Sequence, residues 1–151
     1  MKSRIIIYLT VIALLSACGH KQSEHNHADD AVAEEHDHDS GTPVLELDSG
    51  KKWVVNPEMM VHIRNMEKDV KQFDGTSLSA YKELSGKLKE YNLQITASCT
   101  MKGKSHEELH DWLLPFIDLT KKLGESGSET QASENFNQVK KSINTFNEYF
   151  E

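Results

Sequence analysis

The stretch NPEMMVHIRNMEKDVKQFDG, residues 56–75, carries the pattern that decides the fold. It opens with Asn56 and Pro57, residue types that are favoured at the N-cap and the first position of a helix. Its apolar residues recur at alternating steps of four and three, which places them on one helical face. They are Met59, Ile63, Met66, Val70 and Phe73. With Gly75 as its end, the stretch predicts a helix that buries one side.

Three further segments repeat this spacing of apolar residues. The second segment follows Thr76 or Ser77, and Gly103 is expected to close it. The fourth starts near Ser128 with a Ser-x-x-Gln box. Because the connections are short, residues 44–151 are predicted to form an all-α, antiparallel, up-down-up-down four-helix bundle.

The third segment combines clear boundaries with an internal interruption. Ser105-x-x-Glu108 is a capping box that predicts where the helix begins, and Gly124 marks its end. Pro115 lies inside the segment. We expect it to kink or break the helix, because proline lacks a backbone N–H and clashes with the preceding turn.

Upstream of the helices, the sequence predicts a short β-hairpin and a tether. Residues 44–47 and 52–55 flank a turn composition at 48–51. Residues 21–43 contain no Ile, Leu, Met, Phe, Tyr or Trp, so the tether at 18–43 is expected to be disordered. Two His-x-His pairs flanked by carboxylates are weak candidate metal sites: His25, His27, His36 and His38. The alternative is an acidic spacer that holds the domain away from a membrane.

The beginning of the chain has the features of a bacterial export signal. A basic start precedes an apolar run that is too short to span a bilayer. The sequence LSAC at 15–18 resembles the bacterial lipobox, which implies removal of residues 1–17 and acylation of Cys18. Gly19 implies the outer membrane by the sorting rule of some Gram-negative bacteria. We expect a lipoprotein of the cell envelope that faces the periplasm and is anchored in a membrane.

Composition excludes several functional classes. The formal net charge is -7 and no basic face is evident, so nucleic-acid binding is not expected. Two cysteines cannot form a disulfide scaffold, and neither a Gly-rich phosphate loop nor a GxSxG motif is present. Residues 106–110 match the zinc-peptidase pattern His-Glu-x-x-His. They lie in a capped first turn without a Gly-x-x-His extension, so we predict no enzymatic activity.

Residues that could bind soft or borderline metals in the helical part lie only within 59–66 and 99–110. In an antiparallel bundle the start of helix one, the end of helix two and the start of helix three share one end. These side chains should therefore converge. Thiolate and thioether favour Cu(I), and imidazole suits copper, zinc and nickel. The candidate ligands are Cys99, Met60, His110 and His106, with Met101, Met59 and His62 in reserve.

Each candidate also has a purely structural interpretation. Met59 lies on the apolar stripe and is expected in the core rather than at a metal. Cys99 continues the stripe of helix two, which is equally consistent with an inert buried thiol. His106 could simply be exposed in a first turn, and His110 could be a structural histidine. The metal hypothesis therefore depends on their shared position at one end of the bundle.

The stretch CTMKGKSHEELHDWL, residues 99–113, resembles a signature of uncharacterised periplasmic lipoproteins of Gram-negative bacteria. That signature is Cys-x-Met-x-Gly-x-x-His-x-x-Leu-His-x-Trp-Leu. The upstream Met60-x-x-Ile-Arg is similar to a second motif of those proteins. The resemblance covers about residues 48–120. It implies a helical bundle with roles for Met60, Cys99 and His110, and it implies no particular activity.

Three functions are compatible with these features. The first is a lipid-anchored periplasmic metal-binding protein, with copper as the preferred metal ahead of zinc, acting as a buffer, chaperone or sensor. The second is a b-type haem bundle in which Met60 and either His106 or His110 ligate the iron. The third is a non-catalytic structural or interaction lipoprotein. Reduced protein without residues 18–42 should still bind about one Cu(I) if the first is right.

Overall fold

The structure is a computed structural model that describes residues 44–151, and this part of the chain is all-helical. The four helices are α1 Pro57–Gln72, α2 Leu78–Ala97, α3 Lys104–Gly124 and α4 Glu129–Tyr149. The predicted signal peptide, Cys18 and the tether lie outside the described residues. Between residues 44 and 151, no helix has the length and apolar character that crossing a bilayer requires.

The helices pack in chain order, which confirms the predicted four-helix bundle. Each helix packs against the next one along the chain, and α4 also contacts α1 and α2. The large side chains that are fully buried come from the apolar stripes of all four helices. They include Met59, Met66, Leu88, Ile95, Leu109, Phe116, Leu123 and Phe146. Burial of these faces is the main stabilising contribution of the bundle.

Two of the predicted helix starts are confirmed in atomic detail. Ser77 is the N-cap of α2, and its Oγ accepts a hydrogen bond from the backbone N–H of Ala80. Ser128 is the N-cap of α4, and its Oγ accepts from the backbone N–H of Gln131. Each hydroxyl satisfies an N–H group that has no partner within its helix.

The predicted capping box at the start of α3 is wrong. The N-cap is Gly103, whose φ of 65° is a left-handed conformation that glycine adopts without strain. The Ser105 hydroxyl donates to the Lys102 carbonyl instead of capping the helix. Glu108 turns into the core, where its side chain is 2% exposed, and its carboxylate has other partners. A tertiary contact therefore replaces the local motif.

Two other boundaries differ from expectation. α2 ends at Ala97, with Ser98 as its C-cap, so Cys99 and Met101 lie in the loop before α3 rather than on the helix. The Ser98 backbone N–H and hydroxyl both bond to the Gln94 carbonyl, which closes the helix before Gly103 is reached. The helix α3 runs through Pro115 without a break.

The segment before α1 contains a turn but no strand. Backbone hydrogen bonds of 2.9 Å join Asp48 and Lys51 in both directions, as the predicted turn requires. The pairing does not extend into a hairpin. Instead, the Trp53 N–H donates to the Tyr149 carbonyl at 2.8 Å, and the Glu151 N–H donates to the Trp53 carbonyl at 2.9 Å. The residues after the turn are thus held by the C-terminal end of α4.

A buried carboxylate connects this segment to α3. Glu108 Oε2 accepts from the backbone N–H of Glu46 at 2.9 Å, and Glu108 Oε1 lies 2.9 Å from Lys104 Nζ. The Trp53 indole N–H donates to the Glu46 carbonyl at 2.7 Å. We call this set of contacts the Glu108 clamp. The hydrogen bond from the Glu46 N–H and the ion pair with Lys104 compensate for removing the carboxylate from water.

Candidate metal centre

One end of the bundle is formed by the start of α1, the end of α2 and the start of α3. We call it the Cys/His end. Asn56 is the N-cap residue of α1, but its side chain does not cap the helix. Its Nδ2 donates to the Ser98 carbonyl at 3.1 Å, which ties α1 to the last turn of α2. Two of the three elements that sequence spacing predicted to meet are therefore joined by a direct hydrogen bond.

A groove of about 390 Å³ opens at this end, and we call it the Cys/His groove. Four candidate ligands line it, namely Met59, Cys99, His106 and His110. Its apolar wall is made by Leu109, Leu113, Leu114 and Ile117 of α3. A thioether, a thiol and two imidazoles thus share one partly enclosed apolar space. Such a space favours a soft cation bound by neutral donors over a strongly hydrated one.

The closest pair of donors is Cys99 and His106. Cys99 Sγ lies 3.4 Å from His106 Nδ1, and both side chains are half-buried. Seven residues separate them, and the left-handed turn at Gly103 lies between them. Two donor atoms at this separation can bind the same soft metal ion.

The second histidine lies one helical turn further along α3. The ring centroids of His106 and His110 are 4.2 Å apart. Burial lowers the pKa of His110, and the nearby charge of His106 lowers it further, against a smaller opposite effect of Asp111. A lowered pKa keeps the imidazole neutral near pH 7, which is the form that binds metals.

The methionines are arranged differently from the predicted ligand set. Met59, interpreted as a core residue, is fully buried and also lines the groove. Met60 and Met101, predicted as ligands, are half-buried and pack against the core, but neither lines the groove. His62 is half-buried and is likewise not part of it. The side chains that meet are thus one methionine, one cysteine and two histidines.

Within residues 44–151, no group of three or more His, Cys, Asp and Glu residues is arranged to hold a metal ion. The acidic residues of the His-Glu-x-x-His motif do not join the site. Glu107 is exposed, and Glu108 belongs to the clamp described above. The arrangement therefore provides a thiol–imidazole pair with a thioether and a second imidazole nearby. It does not provide the set of three or four hard or borderline ligands typical of zinc sites.

Sequence reasoning ranked Met59 behind Met60 as a ligand and missed Glu108 as a buried group. A usable signal existed for Glu108, because it lies four residues before Trp112 and eight before Phe116, on the buried face of α3. A carboxylate on an apolar stripe implies a compensating partner. The apolar stripe placed Met59 in the core, but it gave no sign that a core residue would also line the groove.

The sequence matches no protein-family profile, no curated protein and no solved structure. The resemblance to periplasmic lipoproteins, based on residues 99–113 and the upstream motif, therefore stays a prediction. The functional argument accordingly depends on the geometry of the Cys/His groove.

Proposed function

We propose that this protein is a lipid-anchored, periplasm-facing metal-binding protein that binds Cu(I) through Cys99 and His106. His110 and Met59 line the same groove, and a rearrangement of the groove would bring either donor to complete the coordination. The observation that supports this most directly is the separation of 3.4 Å between Cys99 Sγ and His106 Nδ1. A buffer, chaperone or sensor of copper would each use such a site.

The preference for copper follows from the donor types. Thiolate and thioether ligands favour Cu(I), and imidazole binds it as well. Structural zinc sites are almost always tetrahedral, with four protein ligands drawn from Cys, His, Asp and Glu. The groove contains only three such residues, and they are not arranged as a closed site.

The membrane part of the proposal comes from the sequence. Acylation of Cys18 would place the domain at a membrane, with the outer membrane implied by Gly19. The tether histidines would bind further metal ions weakly. We propose the tether as a source of loosely held metal and the Cys/His groove as the specific site, and a variant without tether histidines separates the two contributions.

Haem binding was the alternative based on Met60 paired with His106 or His110. No described contact favours it, because Met60 does not line the groove that contains both histidines. Haem would give a Soret band in the purified protein. A purely structural or interaction role predicts neither metal nor haem binding.

The experiment is a Cu(I) titration under reducing conditions against a competing chelator. It uses the chain from residue 18 with Cys18→Ser, which removes the second thiol and the anchor. We expect one tightly bound Cu(I) per chain in addition to weaker tether sites. Cys99→Ser and His106→Ala should each weaken the tight site by at least about 100-fold, because each removes a direct ligand. His62→Ala is the matched control and should leave the affinity unchanged.

Three results would contradict the proposal. One is copper bound only by the tether, so that replacing its four histidines abolishes all binding. The second is an unchanged affinity in Cys99→Ser. The third is a Soret band in the purified chain, which would favour the haem function instead.

A further inference from the structure

A second groove runs along the seam between α2 and α3, and we call it the seam groove. Its volume is about 470 Å³, within the usual range of small-molecule sites. Lys89, Asn92 and Leu93 line it from α2, and Ile117, Thr120 and Lys121 line it from α3. It is separate from the candidate copper ligands, although Thr96 and Ile117 border both grooves.

The seam groove contains a polar atom without a partner. Asn92 is only 4% exposed, and its Oδ1 is buried with no hydrogen bond from any described residue. Leaving a buried acceptor unpaired destabilises the folded state. Asn92 occupies a position on the buried face of α2, four residues after Leu88, where an apolar side chain would avoid that cost.

The orientation of the Asn92 amide is determined by its neighbours. The Thr120 hydroxyl donates its single hydrogen to the Ile117 carbonyl at 2.7 Å. Thr120 Oγ1 can therefore only accept from Asn92, and the atom at 3.1 Å must be the Nδ2 donor. Oδ1 is consequently the free end of the amide, and it requires an N–H or O–H group from outside the bundle.

The rim of the groove combines apolar and basic groups. Leu93 is 55% exposed and leaves an apolar contact surface at the groove. Lys89 and Lys121 flank the opening, and Glu125 lies 3.9 Å from Lys121, so the basic groups outnumber the acidic one. A ligand with an apolar body and an anionic group would match this rim.

We propose that the seam groove binds a small amphipathic anion that donates an N–H or O–H hydrogen bond to Asn92 Oδ1. Its apolar part packs between Leu93 and Ile117, and its anionic group faces Lys89 and Lys121. Asn92 lines the groove and its Oδ1 is buried, so a donor reaches that oxygen only by entering between the two apolar side chains. The three types of contact therefore act on one molecule at the same time.

The probe is anilinonaphthalene sulfonate, a fluorescent dye with one secondary amine N–H, an apolar ring system and a sulfonate. It is titrated into the metal-free chain from residue 18 carrying Cys18→Ser. We expect saturable binding, with an increase in dye fluorescence, to protein that retains its native circular dichroism. Cys99→Ser should leave the dye affinity unchanged, so this result and the copper titration succeed or fail separately.

Matched variants locate the dye. Asn92→Leu should raise the Kd about fivefold, the loss expected for one neutral hydrogen bond, whereas Gln94→Leu on the exposed side of α2 should not. Leu93→Ala should raise the Kd about threefold. Its control is Leu114→Ala, which removes a side chain of nearly equal exposure, 54%, from the wall of the other groove. If Asn92→Leu does not fold, Lys89→Gln serves instead and should weaken binding and its dependence on salt.

Several outcomes would overturn the proposal. No saturable binding to the native chain would mean that Asn92 Oδ1 is satisfied by water alone. An unchanged dye Kd in folded Asn92→Leu would also overturn the proposal. If Asn92→Leu does not fold, an unchanged dye Kd in Lys89→Gln would overturn it instead. Equal losses in Leu93→Ala and Leu114→Ala would place the dye in the Cys/His groove or on general apolar surface.

Discussion

The two ends of the bundle differ in what their side chains do. The end opposite the Cys/His end, which we call the aromatic end, contains Phe73, Tyr81 and Phe136 in mutual contact. The ring centroids of Phe73 lie 5.1 Å from Tyr81 and 4.9 Å from Phe136. Gly75 turns the chain there, where an added Cβ would lie 2.7 Å from Ala80 Cβ.

This difference separates stability from chemistry within one small domain. Packed rings bury a large apolar area, and each aromatic pair adds a contribution of about 0.5–1.5 kcal/mol beyond that area. The Cys/His end also has packed rings, Trp112, Phe146 and Phe150, and in addition leaves a groove lined by a thiol, a thioether and two imidazoles. We therefore expect substitutions in the aromatic end to change folding and substitutions of the donor residues in the groove to change metal binding.

The largest effect is expected at the aromatic end. Phe136→Ala removes a ring that contacts both Phe73 and Tyr81 and should lower the free energy of unfolding by about 3–5 kcal/mol. Urea unfolding measures this loss, and a Cu(I) titration of the folded variant should show an unchanged affinity. The exposed Leu114→Ala serves as a control and should stay within about 0.5 kcal/mol of the parent. If folded Phe136→Ala also lost Cu(I) affinity, stability and metal binding would not be separate properties of the two ends.

The next effect depends on metal. A ligand that binds only the folded state raises the free energy of unfolding by about 2.7 kcal/mol at a free concentration 100 times its Kd. Thermal unfolding of the reduced chain should show this increase with Cu(I), and the increase should vanish in Cys99→Ser. An equal increase in both proteins would assign the bound copper to other residues.

The Glu108 clamp should contribute an intermediate effect. Glu108→Gln removes a buried charged acceptor and should lower the free energy of unfolding by about 1–2 kcal/mol. Glu107→Gln changes the neighbouring, exposed carboxylate and should have almost no effect. Denaturant unfolding measures the stability of both variants. If Glu108→Gln and Glu107→Gln were equally stable, the Glu108 contacts would not stabilise the fold.

The smallest effect is a pH dependence at the Cys/His end. The folded state lowers the pKa of His110, so the unfolded chain binds the proton more readily. Stability should therefore be complete above pH ~6.5, fall as the pH drops below that value, and level off below the folded pKa. His110→Gln should flatten this part of the profile of melting temperature against pH. If the melting temperature of the parent protein rose on acidification, the prediction that folding lowers the pKa of His110 would be contradicted.

Local signals were sufficient for most of the fold. Apolar residues at helical spacing, with serine N-caps at Ser77 and Ser128, predicted four helices and their order correctly. Helical geometry and short connections also brought Cys99, His106 and His110 together at one end. These features depend on residues close in sequence, where propensity and periodicity act directly.

Long-range contacts account for the remaining differences. Trp53 pairs with the C-terminal residues across almost the whole domain, so no local pattern distinguishes this pairing from a hairpin. Glu108 leaves its capping role because a backbone N–H from Glu46 is available in the core. Helical periodicity placed Met59 on the buried face of α1, but only the packing of α1 against its neighbours determines that Met59 and not Met60 lines the groove.

The Glu108 clamp also defines how a mechanical load would travel through the domain. A pull on the chain ahead of residue 44 acts first on Glu46, and hence on the first turns of α3 through Glu108. It reaches Trp53 and the end of α4 next, and α1 last. Tension from an anchored segment would thus be delivered beside His106 and His110 before it could unravel α1.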